Sequence, residues 1–395
     1  MNTICLDTGR TWLVAKTGNN GNSGHPSSYP INLASDAKLT IDAAVTAASS
    51  GDTIIIWPGD YAENVNAGSK ALRFMGFSRT KSKIVPSSGA ALTLTDGCAA
   101  MNLAVESLTV AISSTGIYSS GKKNIRIEDC DIYAAADGLY ISNSEDVLIR
   151  NCRIRGKYDG ANFGGTSALI VENCVFRADG TYGTTSHSRA SLTAASGIFR
   201  NCHFIVSRSD NSSQVAAAFY AGGVGRIKFE NCMFQAITQS PFNGSVYGFY
   251  TDSGDIRADF HGCIFYTCAT GTPSAIYDLA NGIGGPGVVA GNCIYSSSSG
   301  VIVQSDSTWA DALANALFVN GAANKLVIDA DGRVDVGGIE GAGAELLTRA
   351  AKMLLNKAVQ DKLTGAIRYY DDDNQTVMLT HTPSEDESNM TRTPS

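Results

Sequence analysis

The sequence predicts an all-β chain wound as a single-stranded parallel β-helix, and three observations predict it. The first is a phrase of an acidic, amide or once a glycine residue, then cysteine, then a β-former two places on, which recurs at Cys130, Cys152, Cys174, Cys202, Cys232, Cys263 and Cys293. Val105-Glu106-Ser107-Leu108-Thr109-Val110 reads as an eighth copy with leucine in the cysteine position, and the successive spacings from Leu108 are 22, 22, 22, 28, 30, 31 and 30 residues. Self-similarity at such a period is the signature of a solenoid. The second is that each phrase alternates apolar and polar residues with no helical period, so the unit is a strand with one buried face. The third is another register: Tyr118, Tyr140 and Tyr220 stand 12 residues before Cys130, Cys152 and Cys232, and Tyr250 stands 13 before Cys263.

A repeat of 22 residues holds two or three short strands joined by tight turns. One such coil cannot bury its own apolar face; stacking each coil on the last makes a continuous core and pairs every strand in parallel with its neighbour. The asparagine of the phrase tolerates the left-handed backbone that a sharp corner needs and can stack its amide on the next coil. The cysteine after it points inward as a small hydrophobe. With coils about 4.8 Å apart, the seven sulfurs are expected to form an interior ladder. Their α-carbons would fall within disulfide range, but parallel side-chain vectors suit a bridge poorly, so free buried thiols are expected. The tyrosines follow Ile117, Leu139, Phe219 and Phe249, and adjacent strand residues face opposite sides. Tyr118, Tyr140, Tyr220 and Tyr250 are therefore expected outward, as an aromatic stripe suited to stacking on sugar rings or packing on another subunit.

In chain order, residues 1–35 form an N-terminal segment, loop-like from Gly18 to Ser35. The opening Met1-Asn2-Thr3-Ile4-Cys5-Leu6-Asp7 has no basic region before an apolar core, so no signal peptide is expected. Ile41, Ala44, Val45 and Ala48 recur at helical spacing, predicting a short amphipathic helix between Leu39 and Ser49 that covers the open end of the solenoid. Thr53 to Trp57 reads as a buried strand ended by Pro58-Gly59, and the solenoid is assigned to residues 36–300. Its repeats lengthen after Cys174, and extra residues in a solenoid emerge as loops, here within Arg177 to Ser196, Ile205 to Gly225 and Gln235 to Gly254. Residues 301–341 connect onward through a helix from Ser307 to Leu317 and a hairpin turning at Asp331-Gly332. Residues 342–395 form a C-terminal oligomerisation or attachment module. It comprises a helix from Ala344 to Asp361 with the heptad-like stripe Leu347, Ala351, Leu354 and Ala358, two β-rich runs either side of a turn at Asp371 to Asn374, and a polar tail from Ser384.

The runs Thr40-Ile41-Asp42-Ala43-Ala44-Val45, Gly51-Asp52-Thr53 and Pro58-Gly59-Asp60-Tyr61-Ala62-Glu63 resemble the opening of pectin-lyase-like right-handed parallel β-helix proteins. These include pectin methylesterases with their Gly-x-Tyr-x-Glu motif. As architecture the resemblance covers residues 36–300 and implies a right-handed coil. The superfamily holds lyases, hydrolases, esterases, phage tailspikes and non-enzymes, so it speaks to fold before activity. The stretch from Ile328-Asp-Ala-Asp-Gly-Arg-Val-Asp-Val336 to the Thr391-Arg-Thr-Pro-Ser395 end is similar to modules of bacteriophage tail fibres and other virion appendages.

The chemistry that would mark a pectinase is missing. Pectin methylesterases need Gln-Asp-Thr, Asp-Phe-Ile-Phe-Gly and Gly-Arg-Pro-Trp stretches, and none is present. Of the polygalacturonase phrases only Arg226-Ile227-Lys228 occurs, at the start of an ordinary repeat strand, and pectate-lyase phrases are absent. A tailspike-type glycosidase can draw its two carboxylates from different coils, and Asp252 with Asp255 beside Tyr250 is the first pair to test. Asp210 reads as a turn former. The series Asp329, Asp331, Asp335 lacks the glutamate that closes a calcium loop, Asp371 to Asp373 solvates a turn, and His25, His187, His203, His261 and His381 lack metal-ligand spacing. No metal and no cofactor is expected. A net charge of −7 without a basic run argues against nucleic-acid binding, and no segment approaches a membrane span.

The expected function is that of a virion appendage protein: a tail-fibre, tailspike or collar component, homotrimeric, located in the virion and in contact with other virion proteins and host-surface polysaccharide. A polysaccharide-degrading enzyme on the same fold and a cell-surface adhesin or carbohydrate-binding solenoid are the alternatives.

Overall fold

The computed structural model describes residues 9–27, 30–108, 114–179, 196–208, 215–222, 225–238, 245–251 and 258–268 in full, and the backbone of further strands as far as Pro394. Each coil crosses three sheets in a fixed order. Ile117–Ser120 lies in sheet II, Lys123–Glu128 in sheet I and Asp131–Ala134 in sheet III; the next coil repeats this with Leu139–Ser142, Glu145–Arg150 and Arg153–Gly156. Sheet I contains 11 strands and sheets II and III contain ten each. Neighbouring strands within them are parallel and one coil apart in sequence.

The corner from sheet I to sheet III is where the repeated phrase acts. Asn151, Asn173, Asn201 and Asn231 have φ between 51° and 55°, Asp129 has 53° and Gly262 has 63°. These residue types tolerate left-handed backbone best, which is why the position admits only amide, acid or glycine. The side-chain amides also stack: Asn151 donates to Asp129, Asn173 to Asn151 and Asn201 to Asn173, each at 3.2 Å. The next residue turns inward. Cys130, Cys152, Cys174, Cys202, Cys232 and Cys263 are buried, and all are free thiols. Each Sγ–H faces the carbonyl two residues earlier and one on the coil beneath, as Cys202 does at 3.2 Å to Arg200 and 3.6 Å to Val171. Burial pushes the Cys98 and Cys202 thiols above the ordinary cysteine value, and Cys293 lies outside the described residues.

The eighth phrase is displaced from the register assigned to it. Asp131 pairs with Ala104 and Ile132 with Val105, so the partner of Cys130 is Leu103, fully buried, rather than Leu108, which is 49% exposed. Asn102, with φ 54°, is the corner residue there. Spacing alone favoured Leu108 because it continued the 22-residue period, whereas this coil is longer.

The core changes along the axis. Ile125, Ile127, Val147 and Ile149 fill the earlier coils, and phenylalanines fill the later ones. Phe199, Phe229 and Phe260 stack in one column at 5.2 and 4.9 Å, and Phe176, Phe204, Phe234 and Phe265 in another at 5.2, 5.1 and 4.7 Å. Phe219 meets both columns edge-on, and Phe249 meets Phe229 and Phe260 of the first edge-on. Each buried ring contributes roughly 2 to 3 kcal/mol by area removed from water. A column holds because parallel pairing returns the same inward position every coil.

The N-terminal end is closed by two helices, α1 (Leu33–Asp36) and α2 (Ile41–Ala47). Ile41, Ala44 and Val45 of α2 are buried as the spacing predicts, and the Thr40 hydroxyl caps it by accepting from the Ala43 N–H at 3.2 Å. The short α1 carries no periodic apolar signal. Sheet I begins earlier than the solenoid assigned from sequence: Thr11–Val14 pairs with Thr53–Ile56, so a strand lies inside residues 1–35.

The chain divides into two units, Met1–Leu317 and Phe318–Ser395. In the second, Val327–Ile328 and Val334–Asp335 pair antiparallel as expected, while Asp331-Gly332 lies outside the described residues. Ala358–Gln360, Ile367–Tyr370, Val377–Glu385 and Met390–Pro394 build a four-stranded antiparallel sheet. Two expectations are corrected here. Ala358, assigned to a helical stripe, lies in a strand, because antiparallel pairing with Ile367–Tyr370 overrides a heptad pattern too short to hold a helix alone. The tail beyond Ser384, read as mobile, supplies the edge strand Met390–Pro394. Leu347, Ala351, Leu354 and the Ser307 to Leu317 helix lie outside the described residues.

Candidate binding face

Sheet II carries the tyrosines on its outer side. Tyr118 pairs in register with Tyr140, Tyr140 with Asn162, Leu192 with Tyr220, and Tyr220 with Tyr250, so all four occupy one lateral row. Their predecessors Ile117, Leu139, Phe219 and Phe249 are fully buried, whereas Tyr118 is 36% exposed. Alternation across the strand fixes this side. The rings form two stacks: Tyr118 on Tyr140 with centroids 5.4 Å apart and planes 9° apart, and Tyr220 on Tyr250 at 5.4 Å and 23°. Near-parallel planes at that separation are the offset-stacked arrangement aromatic pairs favour. Sequence reasoning missed one position of the row: Tyr277 continues it in backbone register with Tyr250, and the 27-residue step from Tyr250 to Tyr277 carries the signal. Tyr247, which is buried and stands in another register, stacks on Tyr250 at 5.1 Å; nothing in the period marks it.

The outer side of sheet I is charged and aliphatic instead. Glu128, Arg150, Glu172, Arg200, Glu230 and His261 succeed one another in register. Arg200 bridges Glu172 at 3.1 Å and Glu230 at 2.7 Å, and Arg150 bridges Glu128. Each such surface pair is worth up to about 1 kcal/mol. Beside this ladder runs a shallow trough of about 1010 Å³ floored by Leu148, Ile170 and Ile198 and bounded by Arg126, Lys228 and Asp259. No sequence motif marked it, because strand alternation on a solvated face looks alike whatever fills it.

The Gly59-x-Tyr61-x-Glu63 motif has a structural task here. Tyr61 is fully buried, and its hydroxyl donates toward the Trp57 and Val14 carbonyls at 3.0 and 3.3 Å. Burial, with the Glu63 charge behind it, raises its pKa. The Glu63 carboxylate accepts from the Ile41 and Asp42 N–H groups at 3.1 and 2.9 Å, satisfying the open start of α2. The motif therefore fastens the cap to the first coil.

The remaining titratable residues form no reactive constellation among the described residues, where no group of three or more His, Cys, Asp or Glu side chains has metal-binding placement. His25 Nδ1 is 2.7 Å from the Thr11 carbonyl. His203 Nε2 is 2.9 Å from Gln235, and burial lowers the His203 pKa against that bond. Asp252, Asp255, Asp210, Asp329, Asp331 and Asp371 to Asp373 lie outside the described residues. No helix among the described residues is long and apolar enough to cross a membrane.

A family model described as "Right handed beta helix region" matches residues 76–265 and 138–324, together more than half of the chain. Among solved structures, the chain is similar to pectate lyase Pel9A, at 14% identity and a TM-score of 0.48, covering 77% of this chain and 80% of that one. It is also similar to ORF18 of Geobacillus virus E2, at 15% identity and a TM-score of 0.48, covering 97% and 76%. Pectin methylesterase PemA from Erwinia chrysanthemi matches at 14% identity and a TM-score of 0.45, covering 66% and 90%. None of the curated proteins compared matches the chain.

Proposed function

From a chain that belongs to the right-handed β-helix family, we propose a structural component of a virion appendage, of the tail-fibre, tailspike or collar kind. It assembles as a homotrimer with other virion proteins and presents sheet II to polysaccharide on the host surface. The observation that carries this reading is the two-part build of the chain: a solenoid in residues 1–317 followed by a separate small unit, 318–395, with its own antiparallel sheet. A solenoid is stiff along one axis because each coil rests on the last. A unit as small as the second rarely gains enough from its own core, and oligomerisation is a common remedy. Leu347, Ala351 and Leu354 are the residues assigned to that contact. The outward tyrosine row supports the surface role, since exposed aromatic rings on a rigid scaffold suit recognition.

Light scattering on the full chain tests the assembly. A mass three times the 41.4 kDa of one chain is expected, and removal of residues 342–395 should return monomers. A monomeric full chain at micromolar concentration overturns the reading.

A further inference from the structure

We propose that the two tyrosine stacks of sheet II form one extended site for a neutral polysaccharide lying along the coil axis. This rests on the host-surface contact proposed above and commits it to a ligand charge, a direction and a length.

The direction follows from the register. Tyr118, Tyr140, Asn162, Leu192, Tyr220 and Tyr250 succeed one another across adjacent strands, so the row runs across the strands and along the stacking axis. With about 4.8 Å per coil, the ends of the row lie roughly 24 Å apart and the gap between the stacks is roughly 14 Å. Such a strip suits an extended chain rather than a single sugar. Sugar rings present a C–H face to an aromatic ring and hydroxyls to the amide of Asn162, which stands in the gap.

The charge follows from what flanks the rings. Two residues before them stand Gly116, Gly138, Ala218 and Gly248, and two residues after them Ser120, Ser142, Gly222 and Asp252. None is a cation, so these flanking positions offer nothing to reward a carboxylate or sulfate, whereas on sheet I Arg126 and Lys228 border the trough. The small flanks let the rings stand out and lean over. A Cβ placed on Gly222 would come within 2.6 Å of the Tyr220 hydroxyl and 2.8 Å of its ring, so this ring lies over the glycine and its pose depends on that residue having no side chain.

The length follows from rigidity. The two stacks are fixed on one parallel sheet, so a chain reaching both binds the second at high effective concentration. A chain too short to cross the gap engages one stack and is indifferent to loss of the other.

Affinity electrophoresis of the full chain tests this in gels containing neutral glucans, mannans and galactans of graded length, or polygalacturonate as the anionic counterpart. Retardation by at least one long neutral polymer is expected. Tyr118→Ala/Tyr140→Ala and Tyr220→Ala/Tyr250→Ala should each weaken it tenfold or more, to the level shown by short oligosaccharides of the same sugar. Gly222→Ala, which keeps every tyrosine and displaces only Tyr220, should move binding in the same direction, with thermal unfolding of each variant confirming the fold. Retardation by polygalacturonate alone, indifference to either double variant, or equal binding of short and long neutral chains overturns the inference and leaves host-surface contact standing. No retardation in any gel overturns both, while a trimer by light scattering would still support the assembly.

Discussion

Replacing Asn173 by alanine is the sharpest probe of the corner that sets this fold. Asn173 sits at φ 55°, donates to Asn151 and accepts from Asn201, each at 3.2 Å. Alanine loses both bonds, worth about 0.5 kcal/mol each on an exposed face, and holds a left-handed backbone that costs an ordinary L-residue about 1 kcal/mol more than asparagine. The expected loss is about 2 kcal/mol. Asn173→Gly separates the two parts, since glycine loses the same bonds but accepts the conformation; Gly262 at φ 63° is the chain's own instance. Solenoids need not unfold in one step, so the assay is hydrogen exchange at the corner, read at the Val175 N–H that bonds the Cys152 carbonyl at 2.9 Å. Protection should fall most in Asn173→Ala and about half as much in Asn173→Gly. Unchanged protection in the alanine variant, or a glycine variant weaker than the alanine one, would refute the account of the corner.

Iodoacetamide under native conditions should modify Cys268, which is partly exposed, before any of Cys130, Cys152, Cys174, Cys202, Cys232 and Cys263; peptide mass spectrometry showing a ladder thiol alkylated first would contradict the burial. Phe229→Ala removes a fully buried ring stacked on Phe199 at 5.2 Å and Phe260 at 4.9 Å, and about 3 to 5 kcal/mol of local stability should go with it, measurable by urea unfolding. At the N-terminal end, burial opposes ionisation of Asp52, but N–H groups of Ser49, Trp12 and Arg10 outweigh it and hold the carboxyl below its usual pKa. Its stabilisation is therefore complete above about pH 4, the unfolded value, and fades as pH falls through the lower folded value. Trp12 fluorescence should report an acid transition in that window, and one that persists undiminished in Asp52→Asn would show that this carboxyl is not its source.

Much of the fold was legible because a solenoid writes its geometry repeatedly. The left-handed corner at Asn151, Asn173, Asn201 and Asn231, the inward cysteines and the outward tyrosines each follow from a local rule applied once per coil. Legibility failed where the period broke. Leu108 continued the spacing but Leu103 fills the position, since the strands pair by apolar fit and not by count. Ala358 obeyed a heptad and yet joined a sheet. The sheet I trough carried no sequence mark.

Taken by itself, the amino-acid order determined the coil, its corner chemistry and which side of each strand faces water, because these depend on residues a few places apart. The tertiary structure decided what distant coils bring together: that Tyr118 and Tyr250 share one row, that Tyr247 backs Tyr250, and that Glu63 closes a helix more than twenty positions earlier. Lateral neighbours in a parallel stack are separated by a whole coil of chain, and the length of each coil, which sets who meets whom, is fixed only when the strands have paired.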